Sequence, residues 1–187
     1  MVRTKALYYR LVESFLGDVG VVWHGEGKAP SIISVMLPRA AMPTVKRIRQ
    51  QHPDAVENPD KNSETICEGI RACLEGARVD FSVGCVEIDR CRGFQRSVLL
   101  ETMRIPRGRV TSYGALAEAI HAPGAARAVG SALANNPFPL IIPCHRVVKA
   151  DGFIGRFGGG TEMKKALLLL EGVEIDGRGR IAPAFFR

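Results

Sequence analysis

The sequence predicts an α+β protein: a small mixed α/β N-terminal domain built on an antiparallel sheet, then a mostly helical C-terminal domain containing a helix-turn-helix. Three observations lead there. Short runs rich in Val, Ile, Leu and Tyr, separated by turn residues, fill residues 5–37. From Phe94 onward, apolar residues fall at helical spacing instead. The charge is also unevenly placed. Residues 1–91 carry 12 Lys+Arg and 12 Asp+Glu, whereas residues 92–187 carry 14 and 7, so the whole excess of +7 lies in the second half. The chain is therefore divided into residues 1–91, residues 92–173 and a tail of residues 174–187.

The elements of the first half follow from turn signals. Residues 5–15 suit a strand, Gly17-Asp18 is a turn, and residues 19–23 read as a second strand. Gly25 to Pro30 breaks it and residues 31–37 read as a third, which makes an antiparallel meander. Residues 45–51 form a short helical candidate stopped by Pro53, and residues 58–63 a loop. Ile66, Ile70, Cys73 and Leu74 lie at i, i+4, i+7 and i+8, one face of a helix. Residues 79–88 return to strand-like alternation. No catalytic constellation is visible in this half. Cys67, Cys73, Cys85 and Cys91 are spaced C-x5-C-x11-C-x5-C, unlike the short pairs of zinc sites, and read as unlinked or core thiols.

In the second half, Phe94, Val98, Leu99 and Met103 give residues 94–103 an apolar helical face. After a loop at 105–109, Thr111 or Ser112 is placed to cap a helix through Ile120. His121-Ala122-Pro123-Gly124 is a turn, and a second helix over 125–134 ends before Pro137. Two short helices across a tight turn in a basic domain suggest a helix-turn-helix. The second is built of Ala, Gly and Ser, with Arg127 its one charge. A helix that reads base edges needs several long polar side chains. This one suits close backbone approach to a partner, or burial against a neighbouring helix. Val147-Val148-Lys149 and Phe153-Ile154-Gly155 flank Ala150-Asp151-Gly152, a hairpin signal. Phe157-Gly158-Gly159-Gly160 can bring backbone N–H groups close to a ligand. Thr161 is the expected cap of a helix through Leu170, ending at Glu171-Gly172. The tail, with its Gly, Pro and scattered charges, is expected to carry little order.

Composition bounds the function. A hydrophobic content of 46% supports real cores and excludes a disordered chain. No apolar run approaches the roughly 20 residues of a membrane span, and the first ten residues lack a signal-peptide core. An odd cysteine count of five fits reduced thiols and an intracellular, cytoplasmic setting. The basic half fits a polyanionic partner or a solvated basic surface.

The chemistry concentrates in Asn135-Asn136-Pro137-Phe138-Pro139-Leu140-Ile141-Ile142-Pro143-Cys144-His145-Arg146-Val147-Val148. An aliphatic run ends at a proline and then presents a thiol, an imidazole and a guanidinium. Apolar flanks make a thiol inert, whereas a neighbouring imidazole and guanidinium favour the thiolate. Both a structural cysteine and a nucleophile are compatible with these residues alone.

The longer pattern Asn-Pro-x-Pro-x-x-x-Pro-Cys-His-Arg-Val-Val resembles the active-site signature of the O6-alkylguanine-DNA alkyltransferases, and the likeness runs from about Phe94 to Gly172. The resemblance implies DNA repair by single-use transfer of an alkyl group from O6-alkylguanine, and from O4-alkylthymine as a further candidate. It implies that Cys144 is the acceptor, that His145 acts through a water as its base, and that Glu171 orients His145. Asn136 matches the hinge between helix and active-site strand. Tyr113 matches the residue that contacts the target nucleotide and its 3′ phosphate, and Arg127 the finger that fills the stack after base flipping. Ala126, Ala128 and Gly130 would approach the minor groove. The carbonyls of Cys144 and Val147 would meet the guanine amino group and the Gly158 N–H its O6, with Phe157 as a wall and Arg146 beside the substrate. The implied partner is double-stranded DNA, bound by a monomer in the cytoplasm at the nucleoid, or in a nucleus, with no membrane, cofactor or metal. Some family members carry zinc in the first domain, but those residues do not carry over here. Phe157 stands where the family often has tyrosine, and Gly158 where some members have a side chain. Two rival classes are a DNA-binding protein with a silent thiol and a thiol hydrolase.

Overall fold

The computed structural model describes residues 6–25, 31–58 and 63–187. The breaker ending at Pro30 and the 58–63 loop lie largely outside them. The fold is α+β, in two compact units, Met1–Glu87 and Ile88–Arg187.

The first unit is a four-stranded sheet in the order β3-β2-β1-β4. Strands β1 (Leu7–Val12), β2 (Val19–His24) and β3 (Ser31–Met36) form the expected antiparallel meander. β2 is central and buried from Val19 to Trp23, which explains its continuous apolar run. Helix α1 (Thr44–Gln51) lies against it at Gly20, where a Cβ would come within 2.8 Å of Ile48 and of Thr44. The glycine is what allows that approach. β4 (Val56–Glu57) adds parallel to β1; two residues are too few to leave a pattern in the sequence.

Two expectations are corrected here. Helix α2 (Glu64–Leu74) buries Cys67, Ile70 and Leu74, a face turned one residue from that expected; Ile66 and Cys73 are only half-buried. Residues 79–88 form no strand. They fold into a 3-10 turn at Val83–Cys85, where Ser82 caps Gly84, and meet the sheet through a bridge from Ile32 to Val86 and through Glu87, which bonds Ser31 and His24. Glycine at position 84 and the Ser82 hydroxyl favour a turn over extension.

The second unit packs α3 (Gly93–Met103), α4 (Tyr113–Ala119), α5 (Ala126–Ala134) and α6 (Thr161–Leu170) around a two-residue parallel ladder. That ladder pairs β5 (Thr111–Ser112) with β6 (Val147–Val148). α3 buries Val98 and Leu99 but also Glu101 and Thr102, while Phe94 stays exposed, so the expected face is rotated. Ser112 caps α4 by accepting from the Ala115 N–H at 3.0 Å. The hairpin at 147–155 closes through Lys149 and Phe153, but β6 pairs with β5 and Phe153 bridges Arg180 instead. Gly160, with φ 93°, rather than Thr161, is the N-cap of α6, and it makes no side-chain cap. At its far end the Val173 N–H reaches Leu168 and the Gly172 N–H reaches Leu169, closing the helix with Gly172 at φ 81°.

The tail is ordered, contrary to expectation. Ile181 joins Val110, Val148, Ile154, Leu168 and Val173 in one apolar cluster, and Ile175, Phe185 and Phe186 pack against it. The Val110 N–H donates to Phe185 and the Arg187 N–H to Val110. Four apolar side chains hidden among glycines and charges supply the burial. Among the described residues, no helix is long and apolar enough to cross a membrane.

Candidate active site

Cys144 opens a 3-10 turn, Cys144–Arg146, at the end of the aliphatic run. The run is folded tightly. Leu140 takes φ 72°, a conformation a branched side chain adopts only when its surroundings impose it. Asn136 supplies part of that imposition: its Oδ1 accepts from the Phe138 N–H at 2.9 Å and its Nδ2 donates to the Ile142 carbonyl at 3.1 Å. The same side chain hydrogen-bonds the Cys144 sulfur.

Behind the sulfur is a buried charge system. Glu171, the C-cap of α6, accepts from His145 Nε2 at 2.9 Å and from Arg146 Nε and Nη2 at 2.9 and 2.8 Å. Arg146 Nη1 donates to the Ile105 carbonyl at 2.6 Å. Burial works against an ionised Glu171, yet the hydrogen bonds and charge from His145 and Arg146 outweigh it and hold the carboxyl at about 2. Burial pushes His145 below its ordinary value, opposed by Glu171. Arg146 already answers the carboxylate, so His145 is neutral with its proton on Nε2. Among the described residues, Nδ1 has no hydrogen-bond partner, and its lone pair is left as a base.

In front of the sulfur is a cavity of about 690 Å³. α4 contributes Tyr113, α5 contributes Ala126, Arg127 and Gly130, and the glycine loop contributes Phe157 and Gly158. Gly155, beside the Tyr113 phenol, takes φ 76°, a conformation that favours glycine. The Phe157 ring stands edge-on to the His145 ring, centroids 6.5 Å apart. Lys149 and Arg156 add positive charge beside Arg127, and the sequence reading had passed over both. α5 has two faces. Val129, Ala132 and Leu133 are buried, while Arg127, Ala128 and Ser131 face outward, so one face is packed and the other is open.

The structure thus brings Cys144, Tyr113, Ala126, Arg127, Gly130, Phe157 and Gly158 to one cavity, with Asn136, His145 and Glu171 behind it. Ala128 lies outside, on the exposed face of α5. Two assignments change. Arg146 does not line the cavity; its guanidinium is held by Glu171 and Ile105. Val147 is fully buried and does not line the cavity; its carbonyl accepts from Lys164 Nζ at 2.6 Å. Burial pushes the Cys144 thiol up, against hydrogen bonding from Asn136 and the charge of Lys164. The Arg146 guanidinium, one of the two neighbours that favour a thiolate, is engaged elsewhere.

Sequence reading missed Lys164. It is wholly buried. Its signal was available: Lys164 lies three and four residues before Leu167 and Leu168, on the apolar stripe of α6, where a lysine does not belong without a reason.

Comparison with known proteins adds three findings. Residues 93–173 match the model of the 6-O-methylguanine DNA methyltransferase DNA-binding domain. The methylated-DNA–protein-cysteine methyltransferase of Methanothermobacter thermautotrophicus is 35% identical over 161 residues, 86% of this chain and 83% of the relative. That of Mycobacterium tuberculosis is 33% identical over 169 residues, 88% and 92%. Among solved structures, Mycobacterium tuberculosis OGT in complex with DNA superposes with a TM-score of 0.68 at 34% identity, covering 88% of this chain and 92% of that one. The O6-methylguanine-DNA methyltransferase of Pyrococcus kodakaraensis does so at 0.64 and 28%, covering 89% and 99%.

Proposed function

Because the chain belongs to the methylated-DNA–protein-cysteine methyltransferase family, we propose that it repairs DNA by moving an alkyl group from O6-alkylguanine to the sulfur of Cys144, once per molecule. One observation carries this reading: Cys144, among the described residues the only cysteine lining the cavity, sits between Tyr113, Arg127 and Gly158 in front and the His145–Glu171 pair behind.

The proposed steps use the residues gathered around the cavity. DNA binds as duplex through the minor groove, with α4 and α5 acting as a helix-turn-helix whose small residues permit close approach. The damaged base leaves the stack, Arg127 fills the vacancy, and Tyr113 supports the nucleotide. Gly158 turns its N–H to O6. His145 Nδ1 takes the thiol proton through a water, with Glu171 fixing the ring and its tautomer. The sulfur attacks the alkyl carbon, the S–C bond forms as the C–O6 bond breaks, and the guanine anion takes up the proton. A thioether carries no acyl carbon for water to attack, so the protein is not regenerated. O4-alkylthymine is the further candidate substrate of the same sulfur. The chain acts as a monomer, and its place in the cell is that of DNA.

Peptide mapping after incubation with duplex bearing O6-methylguanine tests this. One added methyl on the peptide bearing Cys144 is expected. Cys144→Ala should lose transfer and keep DNA binding. Arg127→Ala should slow transfer from duplex more than from free O6-alkylguanine base; equal losses would remove the finger assignment. One observation, the burial that pushes the Cys144 thiol up, favours a second reading, a DNA-binding protein with a silent thiol. An unmodified Cys144 peptide after prolonged exposure would select it.

A further inference from the structure

Lys164 is a fully buried amine in the first turn of α6 that the steps above leave unused. Its Nζ donates to the Val147 carbonyl, three residues beyond Cys144, and stands 5.8 Å from the centroid of the Tyr113 ring. Among the described residues, no carboxylate forms an ion pair with it. A buried ammonium without an anion is unfavourable unless something supplies the countercharge. Three titratable groups lie around it. Tyr113 is a poor anion, since burial and the neighbouring Cys144 raise its phenol. His145 cannot become one. The thiol remains.

We propose that the Lys164 ammonium is the counter-charge on which the Cys144 sulfur ionises. Burial that disfavours a lone thiolate favours a thiolate beside a cation, because ionisation then cancels a buried charge instead of creating one. The two groups are coupled in both directions. Lys164 lowers the thiol, and burial brings Lys164 down to about 8 while Cys144 opposes that fall. The pair titrates as a unit, so neither proton loss belongs to one group alone. Lys164 keeps its proton throughout: the thiol proton leaves by way of His145, and the sulfur ends as a neutral thioether. Only that last step rests on the alkyl-transfer reading. Once the thioether forms, Lys164 has lost its anion and should release its proton more readily than before.

The test uses a small electrophile, so it is independent of DNA. Carbamidomethylation of Cys144 by iodoacetamide is followed by peptide mass against pH in the full-length protein and in Lys164→Met. The variant should move the midpoint up by about one pH unit or more, equivalent to about a tenfold slower reaction at neutral pH. Lys164→Arg should restore part of the rate. A strut that merely holds Val147 would behave otherwise, lowering Tm in Lys164→Met and leaving the midpoint in place; that result overturns the proposal. Should Lys164→Met fail to fold, the Lys164 side chain is titrated by NMR in the native protein before and after Cys144 is alkylated. A fall of about one unit on alkylation supports the pair. Identical titrations overturn it.

Discussion

Glu171 holds a neutral imidazole and a guanidinium with one carboxylate, and the site depends on it being charged. Its folded-state value of about 2 against an ordinary 4.5 fixes a sign. The group contributes stability above pH 4.5, and that contribution is lost as pH falls toward 2. The size is about 3 kcal/mol. Denaturant midpoints at pH 5 and pH 3 should differ by the equivalent of about 2 kcal/mol, the part of it lost over that interval, and Glu171→Gln should remove most of the difference. The same substitution leaves Arg146 without its anion and His145 without its acceptor. Alkyl transfer should fall by about a hundredfold or more, measured by single-turnover kinetics. Most of these residues were legible in the sequence, because Pro-Cys-His-Arg and the Glu-Gly that ends α6 are local signatures. Their contacts were not. Nothing in adjacency says that Arg146 turns back to Glu171, 25 residues away, rather than toward the thiol.

At the scale of elements, position is set by short devices. Ser112 caps α4 and at the same time pairs with Val148 in the ladder, so one residue ties Tyr113 to the turn that carries Cys144. Ser112→Ala should lower stability by about 1 kcal/mol by thermal melting and loosen the Tyr113 wall, raising KM for lesion DNA more than it lowers the maximal rate. A change in maximal rate alone would place the cap outside the binding step. The helices were legible because their caps and breakers are written in sequence: Ser112, Pro123, Pro137 and Gly172. The two-residue strands β4, β5 and β6 were not, since a pair of residues has no period to read. Residues 79–88 mislead for the same reason in reverse: an alternation over a few positions is broken by Gly84, whose role is a turn.

For the molecule as a whole, the uneven charge and the tail decide what must be kept. A chain ending at Val173 would lose Ile181, Phe185 and Phe186 from the cluster around Val110 and Leu168, and would leave the Val110 N–H without its Phe185 acceptor. Its Tm should drop by several degrees, and amide exchange at Val110 should quicken. An unchanged melt would show the tail to be dispensable. Sequence composition hid this role because glycines and charges outnumber the apolar residues that do the packing. The positive excess in residues 92–187 predicts DNA affinity that falls linearly with the logarithm of salt concentration; affinity indifferent to salt would remove the phosphate-contact part of the model. The central claim is that one sulfur accepts one alkyl group and is then finished. Repaired guanine is therefore counted against protein with lesion-bearing duplex in large excess. The account predicts a plateau at one repaired base per chain, with all of the protein alkylated at Cys144. Product that keeps accumulating beyond one equivalent, or a plateau with Cys144 unmodified, would contradict it.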